Sequence, residues 1–95
     1  MKLKTTKERK QKFMKKSDEE IVADLNAVFR EVLDNQDIAL SLATVQDDIE
    51  EWDSLAHIQL VLAIGRKFGV QFTTQEVVGW DSVSAIVESV RNHLA

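Results

Sequence analysis

The chain has 95 residues, 44% of them hydrophobic and 29% charged, with no cysteine, no proline and three glycines. That is enough for one small core; it excludes disulfide and thiolate chemistry and favours helix over sheet. The net charge of −4 divides unevenly: residues 1–16 carry eight Lys/Arg and one Glu, whereas residues 17–95 carry four Lys/Arg and fifteen Asp/Glu.

Residues 1–16 therefore read as a flexible basic arm on an acidic domain spanning 17–95. Such an arm either stays solvated or grips an anionic partner, a nucleic acid or a membrane surface. No nucleic-acid role is assigned to it. It lacks the apolar stretch of a secretory signal, and Met14 offers an alternative start of translation. The longest apolar run, Leu60 to Ile64, is far too short for a membrane span. A cytoplasmic monomer is expected.

Ser17-Asp18-Glu19-Glu20 has the form of a capping box, and Ile21, Leu25, Val28, Phe29, Val32 and Leu33 follow at helical spacing. They predict a first helix of four to five turns, ended by Asn35-Gln36-Asp37. Residues 35–52 form a long connection whose Ile38, Leu40, Leu42, Val45 and Ile49 should pin it across the bundle. Its end is acidic, with Asp47, Asp48, Glu50, Glu51 and Asp53.

A second helix is expected from Ser54 to Phe68, ended by Gly69. Thr73-Thr74-Gln75-Glu76 offers another capping box for a short third element, and a last helix begins near Asp81. There Val83, Ile86, Val87, Val90 and Leu94 should be buried. The expected fold is all-α: a small four-helix bundle, three main helices and one short one, with a long first loop.

The second helix is too apolar for a surface helix. Leu60, Val61, Ile64 and Phe68 make one core-facing arc, while Leu55, Ile58 and Leu62 make another. Either the long loop covers the second arc, or it stays exposed beside Ser54 as a patch for a partner or an apolar group.

Trp-Asp-Ser occurs twice, at 52–54 and 80–82, each time before an apolar-periodic segment. Ser54 has His57 one turn on, yet the chain offers no firm third member of a triad and no glycine-rich oxyanion loop. His57 and His93 read as surface residues. Two histidines without cysteine argue against zinc, and the 47–53 carboxylates lack the calcium-loop pattern. No catalytic residue and no metal ligand is assigned. Asp81 and Ser82 read as capping groups, with Trp80 at the bundle edge.

Asp53-Ser54-Leu55 opens a helix after a long acidic loop in an acidic helical chain. Followed by Ile58, Leu60, Val61, Leu62, Ile64 and Phe68-Gly69-Val70, it resembles the attachment site and second helix of the acyl carrier protein family. The resemblance covers residues 17–95. It implies an acyl-carrier-protein-like bundle, a non-enzyme, with 4′-phosphopantetheine joined to Ser54 through a phosphodiester. It implies a phosphopantetheinyl transferase that adds the group from coenzyme A with Mg²⁺, with Asp53 helping the transferase and its metal engage. Acyl groups would ride as thioesters to acyl-activating, ketosynthase or acyltransferase-type enzymes, which Leu55, Ile58 and Leu62 would contact. Many members have glycine where this chain has Glu51 or Trp52, and an acidic second helix; here that helix has no carboxylate after Asp53. The departures point to a specialised stand-alone carrier of a lipid, polyketide, saccharide-acylating or aminoacyl pathway. The alternative is an acidic protein–protein interaction module without a cofactor, in which Ser54 is only a helix N-cap.

Overall fold

A computed structural model describes residues 16–94; the expected basic arm, apart from Lys16, and the alternative start at Met14 lie outside the described residues. Among the described residues four α-helices follow in order: Asp18–Val32 (α1), Ser54–Phe68 (α2), Thr74–Val78 (α3) and Val83–Leu94 (α4). A single 3₁₀ turn, Gln46–Asp48, interrupts the long loop. Among the described residues no helix is long and apolar enough to cross a membrane.

The capping box at Ser17 forms as the sequence predicts. The Glu20 N–H donates to Ser17 Oγ at 3.1 Å, and the Ser17 N–H donates to the Glu20 carboxylate at 2.9 Å. Three acidic residues in the first turn and Arg30 in the last suit the helix dipole. The helix ends without glycine: Asp34 takes a left-handed φ of 54°, which Asp tolerates better than most side chains. Ile21, Leu25, Val28, Phe29 and Leu33 are buried on one face.

Polar groups of α1 then hold the long loop. Arg30 Nε donates to the Ile38 carbonyl at 2.7 Å, and Asn26 Oδ1 accepts from the Leu40 N–H at 2.8 Å. Ile38 and Leu40 are buried and Ile49 packs partly against the core, but Leu42 and Val45 are exposed. Their expected pinning role is corrected by how the loop is fixed. Around Val45 it runs extended against residue 82, through Gln46 N–H to the Asp81 carbonyl and Val83 N–H to the Thr44 carbonyl, both at 2.9 Å. Successive side chains of an extended segment alternate, so Thr44 and Gln46 turn partly inward and Val45 outward.

The exit of α2 is as expected, with Gly69 at a left-handed φ of 68°. In α3, Thr73 and Glu76 complete a second capping box, and Glu76 also meets His93 Nε2 at 3.1 Å. The Thr73 N–H, and after it His93, hold the Glu76 carboxyl below its ordinary value. A lowered carboxyl pKa stabilises the fold above the unfolded-state value of about 4.3 and loses that contribution as pH falls through the folded value. NMR titration should place the Glu76 midpoint below that of an unfolded glutamate. In His93→Ala it should rise only part-way, because the Thr73 bond remains.

Trp80 corrects the expectation of an edge residue: it is 2% exposed and lies inside the core. The indole packs between α2 and α4, where it meets His57 and Ser89. Its ring centroid lies 4.8 Å from that of Phe72, edge to face, and its N–H donates to Ser89 Oγ at 3.0 Å. The last helix starts at Val83, two residues later than expected, because Asp81 and Val83 are bonded to the loop.

Candidate functional site at the head of α2

The two Trp-Asp-Ser copies fold in different registers. At the first, Asp53 is the N-cap: Oδ1 accepts from the Ala56 N–H at 2.9 Å and its carbonyl accepts from the His57 N–H at 2.8 Å. Ser54 is then the first helical residue, with its side chain exposed and not used for capping. At the second, Ser82 Oγ accepts the capping bond, from the Ala85 N–H at 3.1 Å. Asp81 acts through its backbone carbonyl, not as the side-chain cap expected. The cause is the extended pairing with residues 44–46, which keeps Asp81 and Ser82 out of the helix.

Along α2, Leu55, Ile58 and Leu62 are 67%, 60% and 58% exposed, so the long loop does not cover the second arc. Val78 of α3, 79% exposed, is a further apolar residue near Ser54. The sequence did not single it out; the only signal was an apolar residue ending a helix too short to bury both its valines. Ser54 and Val78 line a depression of about 270 Å³ with Gln46, His57, Trp80 and Asp81.

His57 is not the surface residue expected. The Trp52 indole N–H donates to its Nδ1 at 3.0 Å, and its Nε2 lies 3.0 Å from the Val77 carbonyl. An indole nitrogen can only donate, so Nδ1 accepts and Nε2 carries the hydrogen. Both ring nitrogens are thus committed, and His57 clamps α2 to α3 instead of serving Ser54 as a base. The ring lies nearly parallel to Trp52, centroids 6.1 Å apart, and edge-on to Trp80 at 6.3 Å. His57→Ala orphans a part-buried indole N–H and should cost about 1–3 kcal/mol in urea denaturation. The cost should shrink in a Trp52→Phe background if the bond is its source.

Charge is graded along the helix. Asp47, Asp48, Glu50, Glu51, Asp53 and Asp81 are exposed residues of the segments leading to Ser54 and lining its depression. Arg66 and Lys67 occupy the last turn, and no carboxylate lies between. Whether a phosphate could be held at Ser54 turns on the first-turn donors. Asp53 takes the Ala56 and His57 N–H groups, while those of Ser54 and Leu55 have no acceptor among the described residues. Two free N–H groups and an exposed hydroxyl at the positive end of a 15-residue helix fit a phosphodiester.

Compared with known proteins, the chain matches no family model, no curated sequence and no solved structure.

Proposed function

We propose that this protein is a carrier, with 4′-phosphopantetheine attached to Ser54 Oγ. The observation that carries the reading is that Asp53 does the capping, leaving an exposed Ser54 hydroxyl beside the free first-turn N–H groups. It is supported by the exposed stripe of Leu55, Ile58 and Leu62. When bound, the group supplies a thiol that holds an acyl chain as a thioester, chemistry that this cysteine-free chain cannot supply itself.

In the attachment step, Ser54 Oγ attacks the coenzyme A phosphorus nearer the pantetheine, supplied by a phosphopantetheinyl transferase with Mg²⁺. The bond from that phosphorus to the oxygen bridging the two phosphorus atoms breaks, adenosine 3′,5′-bisphosphate leaves with that oxygen, and the serine proton passes to a base of the transferase. The Ser54 and Leu55 N–H groups would hold the resulting phosphodiester, and Asp53 would help engage the transferase and its metal. Leu55, Ile58 and Leu62 meet acyl-activating, ketosynthase or acyltransferase-type enzymes of a lipid, polyketide or other specialised pathway.

The test is intact mass after incubation with a broad-specificity transferase, coenzyme A and Mg²⁺. One added group, mapped to Ser54, is expected; an unmodified chain rejects the reading. The second reading, an interaction module without a cofactor, draws on the same exposed stripe. In it Ser54 is the first residue of the helix, not the cap the sequence suggested.

A further inference from the structure

At about 100° per residue, Ser54, Ile58, Val61 and Gly65 fall within roughly 60° of one another around α2, with Leu62 alongside. The line they draw ends in an open groove of about 430 Å³ lined by Val61, Leu62, Gly65, Arg66, Val70 and Phe72, with Gln71. The groove exists because the chain after Gly69 folds back onto the helix. The Val70 N–H donates to the Gly65 carbonyl at 3.0 Å, and a Cβ at position 65 would stand 2.9 Å from the Val70 carbonyl oxygen. Glycine is what lets the two segments approach.

Arg66 is the charged member of this otherwise mostly apolar lining. It is exposed, and among the described residues no carboxylate lies within ion-pair distance of it. From Ser54 to Arg66 is twelve residues, about 18 Å at roughly 1.5 Å per residue, close to the extended length of a phosphopantetheine arm. Trp52, two residues before Ser54, and Trp80, which lines the depression beside it, are both almost fully buried. A chain anchored at Ser54 therefore has a continuous apolar track along the outside of α2 that leads to a guanidinium.

We propose that this groove seats the acyl cargo of the carrier, and that Arg66 selects cargo ending in a carboxylate, such as a short dicarboxylic half-thioester. The inference rests on Ser54 being the attachment site. The planar guanidinium offers two parallel N–H donors that match a carboxylate. Val61, Leu62, Val70 and Phe72 contact the far part of the arm and the methylene part of the cargo. An uncharged cargo of the same length takes the apolar contacts but gains nothing from Arg66.

The experiment compares protein loaded by a broad-specificity transferase from malonyl-coenzyme A or propionyl-coenzyme A, two cargoes of similar length that differ in charge. Intact mass establishes loading, and ¹H–¹⁵N spectra read the groove. The malonyl form should shift the Arg66 side-chain Nε–H and the backbone amides of Gly65, Val70 and Phe72 beyond the propionyl form. In Arg66→Gln that difference should vanish while loading and the shifts around Ser54 persist. Loaded protein whose two forms give the same spectra at the groove overturns the cargo proposal and leaves the attachment site standing. Protein that accepts no group overturns both.

Discussion

Ser54→Ala is expected to abolish phosphopantetheinylation completely, whereas Ser82→Ala should take up one group as the wild type does. The two serines stand in the same tripeptide, so the contrast isolates the fold and not the local sequence. Ser82 is spent on the Ala85 N–H, and its loss removes an N-cap, costing about 1 kcal/mol in urea or thermal unfolding. Ser54 caps nothing, since Asp53 already accepts from Ala56. Alanine there keeps the cap and improves helix propensity, so stability should move by no more than about 0.5 kcal/mol. The two variants thus exchange phenotypes: one loses modification at constant stability, the other loses stability at constant modification. Asp53→Asn adds a third arm, because asparagine caps as well as aspartate. It should keep the fold while slowing modification if the charge helps the transferase engage. A Ser54→Ala protein that still gains the group would move the attachment site elsewhere. A Ser54→Ala protein about 1 kcal/mol less stable would mean that Ser54 has a structural role that the Asp53 cap does not account for.

The first helix, the Gly69 exit and the surplus stripe on α2 were legible because each depends on neighbours within one or two turns. Capping boxes, a left-handed glycine and 3.6-residue periodicity all act locally. What the periodicity left open, whether the loop covers Ile58, was decided by a contact between distant segments. The loop spends its backbone on residues 81–83 and only part of its apolar side chains on the core. That same pairing sets the register of the second Trp-Asp-Ser, so identical letters gave different caps. His57 was misread for a related reason. Its position falls inside the core arc, since positions 57, 61, 64 and 68 lie within about 60° of one another, but its partners, the Trp52 indole and the Val77 carbonyl, meet only once α3 has docked. The acidic grading towards Ser54 could be read directly from composition. The groove beside Arg66 could not, since it depends on how closely the 69–72 segment returns to Gly65.

Trp80→Ala should be the most damaging single change to stability, about 3–5 kcal/mol, the range for removing a buried aromatic side chain. For a small domain whose total stability is on the order of 5–15 kcal/mol, that is a large share. The reason lies in what leans on the indole. Phe72 and His57 both present edge-to-face contacts to it, and Ser89 accepts its N–H. Alanine leaves a cavity among His57, Phe72 and Ser89, next to α3, which has only five residues and a capping box of its own to hold it. Trp80→Phe divides the loss: it keeps most of the apolar volume and gives up the Ser89 bond, so it should cost well under half as much. Ser89→Ala leaves the indole N–H without its partner and should cost about 1–3 kcal/mol. Urea midpoints give the three values. Hydrogen exchange locates them, with residues 74–80 losing protection first in Trp80→Ala. If Trp80→Ala instead unfolds within about 1 kcal/mol of wild type, α3 is held chiefly by the His57 clamp. The combined variant with His57→Ala should then lose far more than the sum of the two.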